Sequence, residues 1–180
     1  MIKEIALSLP RFVIKYILSE PDYFQVDCTS ASGVPIIHVP KVSEIGRLIH
    51  CVSRTISYTQ PVVDRPLQKG HEFVRLRYNC KKKSFDVPVE KYQELEAVLV
   101  EQFRASLVKE VSAIHYEHPE ENYGWMVRSF LSRRGIVVDD ASDKDIEWDT
   151  AKKIYRDHLS RIQEKNHRGA RVSMPVLSCV

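Results

Sequence analysis

Three lysines in a row, Lys81, Lys82 and Lys83, follow a run in which Arg75 and Arg77 alternate with Val74, Leu76 and Tyr78. Side chains on a strand point to opposite faces with a period of two. The spacing therefore predicts a two-stranded ribbon, residues 74–78 returning through Phe85, Val87 and Val89. One face is apolar, the other carries Arg75 and Arg77, and the lysines crown the tip. Lys and Arg that face phosphates release condensed counterions, which supplies most non-specific affinity for nucleic acid. A ribbon of this kind also fits a major groove. A solvated turn whose lysines blunt a sheet edge has the same composition. Charge is unevenly spread along the chain: residues 65–89 carry a net +5 and residues 90–121 a net −5, although the whole chain is only +3.

A second basic cluster, Lys152, Lys153 and Arg156, sits in "DTAKKIYR", downstream of "FLSRRGI". A short helix, a glycine turn and a basic helix share features with a helix-turn-helix, although the 135–149 connection exceeds that of the compact motif. An ordinary helical hairpin with solvated charges is the competing reading. The eight residues Arg75, Arg77, Lys81, Lys82, Lys83, Lys152, Lys153 and Arg156 are the candidate nucleic-acid contacts, with DNA as the expected partner. Phosphate contacts position a protein without specifying sequence, so no target sequence follows.

His115-x-x-His118 has a spacing that zinc accepts. The pair lies at a helix end beside Pro119 with no cysteine nearby. Histidines there commonly meet the last carbonyls and the helix dipole instead. Asp139, Asp140, Asp143 and Asp145 offer oxygen ligands to a divalent cation but lack the glycine and terminal glutamate of a calcium loop. A metal-dependent nuclease built on those carboxylates is the enzyme alternative. The chain contains no GxGxxG, GxxxxGK[ST], GxSxG or HExxH. The expectation is a non-enzymatic protein with no cofactor, no metal and no catalytic residue.

At 180 residues, 43% apolar and 28% charged, the chain has ordinary globular composition. A chain this long buries roughly two thirds of its unfolded surface, enough to fold without disulfides or metals. Cys28, Cys51, Cys80 and Cys179 are widely spaced, and the N-terminus lacks a signal-peptide pattern. Free thiols in a reducing cytoplasm are expected. No apolar run reaches the ~20 residues of a membrane span.

The elements that must position these residues follow from periodicity. Leu9, Phe12, Val13, Tyr16 and Ile17 form a helical stripe, with Ser8 and Pro10 suited to its start. "FQVDCTSASGVPIIHV" predicts a hairpin whose second run, bracketed by Pro35 and Pro40, suits an edge. Ser43 opens a short helix through Ile45, Leu48, Ile49 and Val52. From Glu90, the stripe Tyr92, Leu95, Leu99, Phe103, Leu107, Val111 and Ile114 predicts a helix of about seven turns with a Glu-rich outer face. Tyr123, Met126, Val127, Phe130 and Leu131 predict another, stopped by Gly135 in the left-handed conformation. Trp148, Ala151, Tyr155, Leu159 and Ile162 mark the last, capped by Asp149.

The resulting fold class is α+β: a small antiparallel sheet packed on a long central helix, with a helical C-terminal unit. The expected divisions are 1–120 for the α+β core, 121–165 for the helical unit and 166–180 for a flexible tail. The layout "LPRFVIKYI", "VEKYQELEAVLVEQFRASL" and "FLSRRGI…WDTAKKIYRDHL" resembles small proteins encoded by phages and mobile elements of gut bacteria. That resemblance implies an accessory or regulatory role near phage or transposable-element DNA. The alternative is a protein–protein interaction module, pairing with itself or another protein through the acidic long helix and the tail "MPVLSCV".

Overall fold

The computed structural model describes residues 1–20, 25–29, 33–56, 67–81, 84–139 and 143–172, with the side chains of 25–29 and 166–172 outside the description. The architecture is α+β. The elements are β1 (Ile2–Pro10), α1 (Arg11–Ser19), β2 (Gln25–Thr29), β3 (Pro35–His38), α2 (Glu44–Val52), β4 (Arg54–Thr55), β5 (His71–Asn79), β6 (Phe85–Asp86), α3 (Tyr92–Glu117), α4 (Gly124–Arg133) and α5 (Trp148–Val172). A 3-10 turn, Val89–Lys91, leads into α3.

The sheet has the order β1-β5-β3-β2 and is mixed rather than wholly antiparallel, because β3 and β5 run parallel. Its longest ladder joins β1 to β5 in register from Ile2↔Asn79 to Pro10↔His71. This ladder replaces the expected ribbon. The return strand β6 pairs with β4, not with β5. The reason is packing: Ile5 and Leu7 of β1 lie opposite Leu76 and Val74, so the apolar faces of two long strands merge into one buried surface. A two-residue β6 offers far less.

The same ladder moves the start of the first helix. Ser8 belongs to β1 and Pro10 is the residue that precedes α1. The β2–β3 hairpin forms as expected, with an irregular register between Val26 and Cys28. However, β3 is an interior strand rather than an edge. Pro35 is its first residue and Pro40 lies past its end, so neither removes a donor from the middle of the ladder.

α2 begins where Ser43 Oγ accepts from the Gly46 amide at 3.0 Å. Gly46 is required by close approach: a Cβ there would lie 2.1 Å from the Pro40 carbonyl oxygen. α3 buries Leu95, Leu99, Phe103, Leu107 and Val111 of the expected stripe, and its end members Tyr92 and Ile114 are partly buried. Each fully buried side chain contributes roughly 1.5–3 kcal/mol on burial. α1 and α3 cover the inner face of the sheet, and α4 and α5 pack on α3. One hydrophobic cluster runs from Ile5 through Phe103 and Phe130 to Tyr155. Gly135, at φ +63°, closes α4: its amide bonds to the Ser132 carbonyl and the Ile136 amide to the Leu131 carbonyl, both 3.0 Å. Cys51 and Cys80 are free thiols. Among the described residues, no helix is long and apolar enough to cross a membrane.

The end of β5 is tied down by a polar knot. The Tyr78 hydroxyl donates to Asp86 Oδ1 at 2.6 Å, and Lys3 Nζ donates to Asp86 Oδ2 at 2.9 Å. Burial, and then the Asp86 hydrogen bond and charge, hold the Tyr78 hydroxyl well above its ordinary pKa of 10.0. A raised folded-state pKa contributes stability that is present below the unfolded value and lost as pH climbs past it. The urea midpoint of the wild type is therefore expected to fall more steeply from pH ~9 to ~11 than that of Tyr78→Phe. Parallel pH profiles for the two proteins would contradict this account.

Candidate nucleic-acid interface

The sheet places Arg75 and Arg77 on the face turned away from α1 and α3, since Val74, Leu76 and Tyr78 between them are buried. They are not free there. The register sets Glu4 of β1 opposite Arg77. Glu4 Oε1 accepts from Arg77 Nε at 2.9 Å and from its Nη2 at 2.8 Å. Glu4 Oε2 lies 3.8 Å from Arg75. One carboxylate thus offsets half the charge of the pair. Lys81 is exposed just past the strand. Lys82 and Lys83 lie outside the described residues.

The second cluster has a different setting. Ala151 and Tyr155 of α5 turn into the core, 0% and 1% exposed. On an α-helix Lys152 and Arg156, four residues apart, then share a face, with Lys153 beside them. The three side chains line one open cleft of about 540 Å3 with Tyr123, Asp149 and Thr150. Among the described residues, no carboxylate forms an ion pair with Lys152, Lys153 or Arg156. Lys152 Nζ stands 5.9 Å over the Tyr123 ring, within cation–π reach.

The floor under this cleft is rigidly built. Tyr155 packs on Tyr123 with ring centroids 5.2 Å apart, and its hydroxyl lies 3.0 Å from His115 Nδ1. His115 also meets Tyr123 edge to face at 6.0 Å. These contacts fix the first turns of α5 against the ends of α3 and α4. His115 is thereby committed to an aromatic cluster, while His118 lies 4.0 Å from Glu121.

The acidic loop before α5 is a clamp. Asp145, whose side chain is fully buried, accepts from Lys15 Nζ at 2.6 Å and from the Val137 amide at 2.7 Å. Arg11 bridges Glu72, Asp143 and Asp145, and Asp139 pairs with Arg128. Asp140 lies outside the described residues. Among the described residues, no three His, Cys, Asp or Glu side chains gather in a metal-holding group. Much of the Glu-rich face is likewise partnered: Glu90, in the turn before α3, with Arg54, and on α3 Glu94 with Lys91, Glu96 with the Ser8 amide, Glu101 with Arg104, and Glu110 with Arg133 and Arg134.

The structure brings Lys152, Lys153 and Arg156 together and keeps them apart from Arg75 and Arg77. The sheet, α1 and α3 stand between the two groups, so they make no continuous footprint. The basic helix is also longer than its periodic stripe implies. α5 continues to Val172, where the sequence pattern reads as a tail from residue 166. Its 25 residues span about 37 Å and carry seven Lys and Arg against three acids. Every side chain from Ser160 to Lys165 is exposed.

Two contributors escape a reading of the sequence. Tyr123 reads as one more apolar stripe residue, and only tertiary packing turns it toward α5. Glu4 becomes visible as a neutralising partner once Ile5, Leu7 and Leu9 are recognised as a strand rather than as the approach to a helix. No protein-family model matches the chain, and neither a curated protein nor a solved structure matches it.

Proposed function

We propose that this chain is a non-enzymatic, cytoplasmic nucleic-acid-binding accessory protein, of the kind that phages and mobile elements encode to act on their DNA, and that α5 is its binding element. The observation that carries this reading is the cleft lined by Lys152, Lys153 and Arg156, three cations without carboxylate partners among the described residues. A protein that meets its charge needs internally would pair these side chains, as it does at Glu4, Glu90, Glu110 and Asp145. Unpaired cations raise the local potential and draw in a polyanion. Arg75, Arg77 and Lys81 remain a second, weaker contact region on the opposite side of the sheet.

The interaction-module alternative has less behind it: much of the acidic face of α3 is occupied by partners within the chain, and the tail 173–180 lies outside the described residues. The direct test is affinity of the intact chain for a fluorescent oligonucleotide as salt is raised. A linear fall of log K with log salt is expected, with a slope of about −0.7 per phosphate contact on a single strand or −0.9 on a duplex. Failure to bind at low salt would remove the proposal.

A further inference from the structure

We infer that the cleft at the start of α5 takes a single-stranded segment of nucleic acid, with a base stacked on Tyr123 and its phosphate held by Lys153 and Arg156. This rests on the nucleic-acid reading above and narrows it to one form of the polymer. Cations alone do not distinguish a duplex from a single strand, since both carry phosphates. Aromatic rings do, because only an unstacked base can lie on them. Tyr123 is half-buried in the cleft wall, and His115 and Tyr155 hold it from the inside. Its outward side meets Lys152, which at 5.9 Å sits at the outer limit of cation–π contact. A base can replace that ammonium over the ring while Lys152 swings to a phosphate.

Two further aromatics near the junction of α3 and α4 are exposed but do not line the cleft, so the stacking role falls to Tyr123. Trp125, two residues from Tyr123, is 48% exposed and anchored by its indole N–H to Glu121 Oε2 at 2.9 Å. Tyr116, next to His115, is 89% exposed. A ring held in place beside cations that no described carboxylate pairs with is the combination that binds single strands without sequence preference. The cleft is open, about 540 Å3, and so leaves a strand room to pass along it. A duplex presents a convex surface that would bridge such a hollow.

The test compares three ligands of equal length at fixed low salt: oligothymidylate, an abasic phosphodiester strand, and a duplex. Oligothymidylate is expected to bind about tenfold tighter than the abasic strand, the effect of one stacked base. Tyr123→Leu, which keeps the packing against Tyr155, should bring oligothymidylate down to the abasic level, and Tyr123→Phe should restore the difference. Equal binding of base-bearing and abasic strands, or tighter binding of the duplex, would overturn the single-strand inference and leave the polyanion reading standing. A base preference that survives Tyr123→Leu would also overturn it. Binding of none of the three would overturn both.

Discussion

Phe103→Ala is expected to remove about 3–5 kcal/mol of folding stability. Phe103 is fully buried at the centre of α3. Its ring lies 4.9 Å from Phe12, 5.7 Å from Tyr16 and 5.9 Å from Phe130, centroid to centroid. It is where α1, α3 and α4 meet. Alanine forfeits the transfer energy of the ring and leaves a cavity that three separately anchored aromatics cannot close. For a domain with ~5–15 kcal/mol in total, this is about a fifth of its stability or more. The melting temperature should drop by about 10 °C in a chain of this size. Phe103→Leu, which keeps most of the volume, should lose much less. A drop under ~1 kcal/mol for the alanine variant would mean that the three helices do not close around this ring.

Neutralising α5 is expected to have the largest effect on binding. Lys153→Gln with Arg156→Gln removes two phosphate contacts, so the log–log salt slope should flatten by about 1.4 on a single strand or 1.8 on a duplex. Affinity at ~50 mM salt should fall on the order of a hundredfold, and the two proteins should converge as salt approaches ~1 M. Both side chains point to solvent, so the fold should be unaffected: exposed substitutions of this kind change stability by only ~0.5 kcal/mol. The matched comparison is Arg75→Gln with Arg77→Gln. Glu4 already offsets half that charge, and the slope should change by less than ~1. A larger change for the sheet pair than for the helix pair would move the interface to the sheet.

Much of the fold was legible because it depends on local repeats. The stripe from Leu95 to Val111 matches the buried face of α3 residue for residue, since a helix that covers a core must repeat its apolar side chains every 3.6 residues. Gly135 was legible as a left-handed cap for a similar reason: the conformation excludes most other side chains. The error at β5 arose in the other direction. The alternation around Arg75 and Arg77 correctly announced a strand with a basic face, but alternation does not name the strand's neighbour. The local candidate, β6, is ten residues away, and the true partner, β1, is about seventy.

The candidate site divides along the same line. That Lys152, Lys153 and Arg156 lie together away from an apolar stripe follows from helical spacing alone. That no described carboxylate pairs with them, and that Tyr123 closes the cleft beside them, does not. By itself the amino-acid order determined which faces of each element would be apolar and which charged, because those depend on residues a few positions apart. Tertiary structure decided which charges stay exposed to a partner, because pairing joins residues such as Glu4 and Arg77 from opposite ends of the first half of the chain. Coulomb attraction acts across space and takes no account of sequence separation.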